Sequence, residues 1–381
     1  MREGIRGRQN VIFSGILMLV LVMAGCSEAV IGPARNTIDL FRERNSGPRT
    51  RFVYVGSSVG LNILDFDPDT GAASPTAASP ITIATGLREL CMSPDERFLY
   101  ATNGTGNTVY GWSIDQTSGD VTAIPGTPVT VDASLVAQGC AVRPDGAVLY
   151  AYGSGSPPAE NNFQYWSIDA TTGQLTTVAP QSVDGGSLVS DVAIDQASSS
   201  LYFVGGQDLY RMSIASNGAL TVANGPINIG ASTASLQLAE DDTRLYIAAL
   251  TTGTIIPYDV SGTPVAITPT TVVGSAWSLG FSPDDSFLYV STSTSSELLT
   301  FEVATDGTVA LSAFPSLALN DRANRLAFGP GGEYLFASDD AGTGGALRIY
   351  AQDAATGELT EAPGSPVPTG DNPFGLAFIA Q

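Results

Sequence analysis

The stretch ELCMSPDERFLYATN, residues 89 to 103, decides the fold because the chain repeats it. It reads as a short apolar strand, a Ser-Pro-Asp turn, and a second strand carrying an aliphatic-Tyr pair. The same unit returns as GCAVRPDGAVLYAYG from Gly139, DVAIDQASSSLYFVG from Asp191, SLQLAEDDTRLYIAA from Ser235, SLGFSPDDSFLYVST from Ser278 and RLAFGPGGEYLFASD from Arg325. Self-similarity at this period marks a repeat architecture, in which each unit buries its apolar face only against its neighbours.

Two halves of a seventh unit stand at opposite ends of the repeating region. RFVYVGS, from Arg51, supplies a second strand, and GLAFIAQ, from Gly375, supplies a first strand. Left apart they would expose two sheet edges, whereas pairing them closes a ring. The aromatic anchors Tyr54, Tyr100, Tyr150, Tyr202, Tyr246, Tyr289 and Phe336 are 46, 50, 52, 44, 43 and 47 residues apart, the length of a four-stranded blade. Stretches such as YGWSIDQTSGDVTAI from Tyr110 and LRIYAQDAATGELTEA from Leu347 supply the outer hairpins, each with a Gly-containing turn. The prediction is an all-β, seven-bladed β-propeller over residues 51–381, with four-stranded blades and the C-terminal strand paired to the N-terminal one.

Alternation within the first strands indicates how blades pack. One face is bulky, as in Leu90 and Met92 or Leu279 and Phe281; the intervening positions are Cys91, Ala141, Ala193, Gln237, Gly280, Ala327 and Ala377. Small residues there let the bulky face of the adjacent blade approach, so these stripes are core and imply no cofactor.

Composition then limits the chemistry. The 381 residues include 42 Gly and 23 Pro, and only 14% are charged, as suits many short strands and tight turns. All 16 basic residues are Arg, because the chain has neither Lys nor His. That excludes an imidazole base, a His-ligated zinc and a Schiff-base lysine. From Arg51 onward nine Arg face 33 acidic residues, a formal charge of −24, which repels phosphate backbones and argues against nucleic-acid binding.

The first 50 residues read differently. Arg2, Arg6 and Arg8 precede an apolar stretch from Val11 to Ala24, too short for a transmembrane helix of roughly 20 residues, and Gly25-Cys26 follows. Met-Ala-Gly-Cys resembles a bacterial lipobox. The expected organisation is a signal peptide over 1–25, a lipidated Cys26 with a polar tether over 26–50, and the propeller. Ser27 in place of Asp favours an outer-membrane lipoprotein facing the periplasm or the cell surface, a monomer held on the membrane by its lipid.

YVGSS from Tyr54, YATNG from Tyr100 and YVSTS from Tyr289, with the Ser-Pro-Asp turns and TGxL hairpins, resemble the lactonase-like, YVTN-type seven-bladed propellers across nearly all of residues 51 to 381. The resemblance implies the fold directly. For activity it implies 6-phosphogluconolactonase-like enzymes, carboxymuconate-cyclising enzymes, and secreted or surface propellers with no assigned reaction. Sites in the enzymes use His with Glu and Arg, and a chain without His inherits no His-containing constellation. No blade carries the Gly-His and Trp-Asp pairs of WD40 repeats.

Ligands usually enter a propeller at one mouth of its channel, where the loops leading into the innermost strands converge. The aligned repeats put Glu89, Gly139, Asp191, Ser235, Ser278, Arg325 and Gly375 at one level there, with Arg88, Gln138, Ser190, Ala234, Trp277, Asn324 and Phe374 one step earlier. Glu89, Asp191 and Arg325 are the candidate catalytic residues, a carboxylate activating water and an Arg holding an anion or polarising a carbonyl. Read plainly, they are charges on a solvated rim. Arg88, Gln138, Trp277, Asn324 and Phe374 are the candidate ligand-binding residues, the two aromatics serving as a platform or as blade packing.

Asp65 to Gly71 invites a calcium reading, but Asp and Gly recur at the same hairpin as turn formers, so no metal is expected. Cys91 and Cys140 lie in adjacent first strands, and either a disulfide across the blade interface or two buried thiols fits them. No cofactor is implied, and the haem attachment motif of a redox propeller is missing. Two functions therefore stand: a propeller that binds a protein, glycan or small ligand at its channel mouth, and a lactone or ester hydrolase using Glu89, Asp191 and Arg325.

Overall fold

The computed structural model describes residues 49–380 except 106, 156–161, 182–187 and 342. The signal segment and Cys26 lie outside the described residues. Seven antiparallel sheets account for the described chain, with no helix among them. Blade 1 is built from Leu376–Ala380, Thr50–Ser57, Gly60–Asp67 and Ala72–Pro75, in that order across the sheet. Blades 2 to 7 begin with the strands Leu90–Met92, Leu135–Val142, Asp191–Ile194, Thr233–Leu238, Ala276–Phe281 and Arg322–Phe328, each followed in chain order by its remaining strands. In five blades a further two-residue strand also pairs with the third strand, so the outer edge is split rather than continuous.

Closure follows the predicted pairing. Val53 stands opposite Phe378, Tyr54 opposite Ala377 and Val55 opposite Leu376, and Gly56 N donates to Gly375 O at 3.0 Å. The strand starts at Thr50, and Arg49 reaches from it to Asp69 and to Glu333 of blade 7. Apolar clusters fill the spaces between successive blades, each joining residues of two neighbours. Cys91 and Cys140 form a disulfide with Cα atoms 6.1 Å apart, stapling the first strands of blades 2 and 3.

The recurrent tyrosines latch each blade to the next. Tyr54, Tyr100, Tyr150 and Tyr289 donate their hydroxyls to the carbonyl oxygens of Gly119, Gly173, Gly218 and Gly357, each in the hairpin turn of the following blade, at 2.7 to 2.9 Å. Gly173 shows why the turn needs glycine. Its φ is +71°, and a Cβ would stand 2.5 Å from Cδ1 of Phe98, two residues before the latching Tyr100. Elsewhere arginine substitutes: Arg211 beside Tyr202 donates to Gly262 O, and Arg244 beside Tyr246 donates to Thr305 O. The shared residues of the repeat are therefore turn formers and blade anchors.

The aspartates of the Asp65 to Gly71 hairpin are occupied locally. Asp67 accepts from Asp69 N and Thr70 Oγ1, and Asp65 pairs with Arg51.

Candidate functional site

A cavity of about 170 Å³ opens at one end of the channel. All seven residues at the level of Arg88 line it, including the five candidate ligand-binding residues. The repeat alignment thus located a real concavity, because equivalent positions in seven pseudo-symmetric blades must face the same axis.

Glu89, Asp191 and Arg325 meet across that axis. Arg325 Nε and Nη2 donate to Glu89 Oε2 at 2.9 and 2.6 Å; Nη1 and Nη2 donate to Asp191 Oδ2 and Oδ1 at 3.0 and 3.1 Å. These bonds use most of the five N–H donors of the guanidinium, leaving Arg325 committed to its two carboxylates. The two carboxylates are not rim charges. Glu89 is 8% exposed and Asp191 3%, while the Arg325 side chain between them keeps 26% exposure; the acids therefore need their cation, because an unpaired buried charge is costly.

The two acids occupy different sides of this bridge. Glu89 lines the 170 Å³ cavity, whereas Asp191 lines a second space of about 330 Å³, and Arg325 borders both. Burial pushes the Glu89 carboxyl above its ordinary range, Arg325 pulls it back, and the nearby Asp191 charge adds to the rise. Burial also disfavours the charge on Arg325, but Asp191 and Glu89 outweigh it and hold the guanidinium well above its usual value.

Tyr152 is a member of the site that the sequence reading missed. Its hydroxyl donates to Asp191 Oδ1 at 3.3 Å, and its ring borders both spaces. It stands opposite Gly139 in the blade 3 register, where a Cβ on Gly139 would lie 2.3 to 2.6 Å from the Tyr152 ring and hydroxyl. A signal was present. Two residues after the anchor, six repeats carry Gly56, Thr102, Val204, Ala248, Ser291 and Ser338, and only blade 3 carries a large aromatic, facing the glycine of its own ring.

The two aromatics are half-buried under arginines rather than open platforms. Arg88 lies over Phe374 at 4.8 Å and Arg322 over Trp277 at 4.4 Å. Gln138 donates to Ser154 Oγ, and Asn324 Nδ2 donates to Pro373 O, tying blade 7 to the loop that enters blade 1. Among the described residues no group of His, Cys, Asp and Glu is arranged to hold a metal ion.

The model of the seven-bladed β-propeller lactonase family matches residues 48–204. That match covers less than half of the chain, and over it the chain is similar to the lactonase-like propellers. The periplasmic gluconolactonase of Pseudomonas aeruginosa superposes with a TM-score of 0.72 at 18% identity, over 86% of this chain and 99% of that one. A candidate 6-phosphogluconolactonase of Bacteroides uniformis gives 0.69 at 15% identity, over 87% and 100%. A corresponding protein of Bacteroides fragilis gives 0.68 at 18%, over 88% and 99%. At such identities the likeness shows the propeller fold and nothing about a substrate. No curated protein matches the sequence.

Proposed function

We propose that this lactonase-like propeller hydrolyses a lactone bound in the 170 Å³ cavity, with Glu89 as general base. The observation that carries the reading is a single carboxylate, facing the cavity, held by Arg325 through Oε2 and raised by burial toward the range in which a carboxylate accepts protons well. Support comes also from the lactonase family match and from gluconolactonase names among similar structures. These weigh against ligand binding without turnover, the reading first favoured by the sequence.

In the proposed reaction water adds to the lactone carbonyl carbon as Glu89 takes its proton. The ring C–O bond then breaks, and the leaving oxygen receives the proton from Glu89, releasing an open hydroxy acid. Arg325 borders the cavity beside Glu89, so its positive charge faces the oxygen that turns negative in the tetrahedral intermediate. Asp191 acts from behind, orienting Arg325 and offsetting its charge. Glu89→Gln is expected to lower kcat by about 10²–10⁴-fold on any lactone the wild type hydrolyses, the usual scale of general-base loss. Ligand binding with no turnover of any lactone by the wild type would leave a binding propeller instead.

The lipobox reading completes the proposal: Cys26 carries a lipid and holds the propeller at the outer membrane. Cys26→Ala is expected to abolish palmitate labelling and move the protein to the soluble fraction.

A further inference from the structure

Ten arginines fall among residues 49–380, and nine of them place their guanidinium groups against a carboxylate, a hydroxyl or a carbonyl oxygen. Arg88 is the exception. Among the described residues its side chain makes no hydrogen bond and no ion pair, in a chain whose acidic residues far outnumber its arginines. It is half-buried on the cavity wall, stacked on Phe374, an arrangement that fixes the plane of the guanidinium and leaves its N–H edges open.

Three further polar atoms of the same wall lack partners. Thr233 Oγ1, Ser235 Oγ and Asn324 Oδ1 are buried and make no hydrogen bond, on residues only 6% exposed. These oxygens are closed to solvent, but the side chains that carry them, with Gln138 and Ser190, give the cavity a polar wall. A polar wall suits a ligand rich in hydroxyl groups, and an unpaired guanidinium suits an anion.

We propose that the cavity takes a small polyhydroxylated lactone bearing a carboxylate of its own, with Arg88 as the receptor for that carboxylate. The inference rests on the lactone reading for the cyclic ester and stands apart from it for the anion. Local charge favours a monoanion over a phosphate dianion. Glu89 and Asp191 against Arg325 leave one negative charge, which Arg88 balances, so a carboxylate adds one net charge to the site and a phosphate nearly two. The volume limits the ligand to about one sugar ring, below the range of drug-sized pockets. Arg88 then fixes which end of the substrate faces Glu89, its neighbour in sequence.

The test compares D-glucaro-1,4-lactone with D-glucono-1,4-lactone, which differ by a carboxylate in place of a hydroxymethyl group. Wild-type kcat/KM is expected to favour the carboxylated lactone by at least about 10-fold, the scale of one charge-assisted contact. Arg88→Gln is expected to raise KM for that lactone by a similar factor and leave the neutral one nearly unchanged, with Arg88→Lys recovering part of the loss. Equal preference in the wild type, or an equal effect of Arg88→Gln on both, overturns the inference. Should the wild type hydrolyse neither, calorimetric titration of both lactones into wild type and Arg88→Gln decides the anion site. Tighter binding of the carboxylated lactone that Arg88→Gln abolishes upholds it, and its absence overturns it. Competition by inorganic phosphate stronger than by acetate would reassign the anion from carboxylate to phosphate.

Discussion

Arg325 and Glu89 lie 236 residues apart in the chain, in blades 7 and 2, yet Nη2 of one approaches Oε2 of the other to 2.6 Å. With Asp191 of blade 4 on its far side, Arg325 joins three blades through the channel axis. Such a bridge pays a desolvation cost when the chain folds, and removing its cation leaves two buried carboxylates facing one another. Arg325→Gln is expected to destabilise the protein by about 3–5 kcal/mol in urea unfolding. Adding Glu89→Gln and Asp191→Asn to that variant removes the stranded charges, so the triple variant should recover most of the loss. A triple variant no more stable than the single one would mean that packing, not charge, sets the cost.

The pH dependence follows from the same bridge. Burial raises the Glu89 carboxyl despite Arg325, and a general base works only when ionised. The acid limb of kcat/KM should therefore lie above the ordinary glutamate value of about 4.3, with activity lost as pH falls through it. Asp191→Asn removes a negative neighbour that contributes to the rise, so the limb should move to lower pH. Stability carries the opposite sign: a raised carboxyl favours the folded state below its unfolded value, and that contribution is lost as pH rises through the folded one. Glu89→Gln should remove this component from a stability profile measured against pH.

The level of the site along the axis was legible in the sequence, and the contacts across it were only partly so. Seven repeats in register determine which residues face the channel, so Glu89, Asp191 and Arg325 could be assigned to one ring without coordinates. Their depth could not, because burial depends on side chains from several blades closing over the same axis. Tyr152 escaped notice because it belongs to a second strand, while the alignment drew attention to the first. The disulfide was left open for a similar reason: Cys91 and Cys140 sit one step apart in the repeat, and the contact between them depends on how adjacent blades are offset.

The tyrosine latch predicts unequal costs for one substitution made in different blades. Tyr100→Phe removes the donor to Gly173 O and strands a carbonyl at a buried contact, an expected loss of about 1–2 kcal/mol. Tyr246→Phe should cost clearly less, because its hydroxyl makes no hydrogen bond among the described residues and Arg244 carries the link to the next blade. Phe336 stands at the same position of blade 7 with no hydroxyl at all. Equal losses at Tyr100 and Tyr246 in denaturant titrations would refute the latch as the source of the stability.

Closure gives the most severe prediction. The strand Leu376–Ala380 supplies the innermost position of blade 1, burying Ile379 and Ala377, and Phe378 contacts Phe336 of blade 7 at 4.9 Å between ring centroids. Deleting residues 375–381 removes these contacts together and uncovers the inner edge of Thr50–Ser57. A closed ring has no spare blade to cover that edge, so the loss should spread beyond blade 1. The truncated chain is expected to show no cooperative thermal transition, whereas Ile379→Ala should fold with a loss of about 2–5 kcal/mol, the usual cost of emptying a buried aliphatic site. Refolding the truncated chain with a synthetic peptide spanning residues 375–381 should restore the transition in a concentration-dependent way, because the missing strand then enters as a separate molecule. A truncated chain that melts like the intact one would show that blade 1 is held by its flanking blades, and that the pairing of the two termini is dispensable.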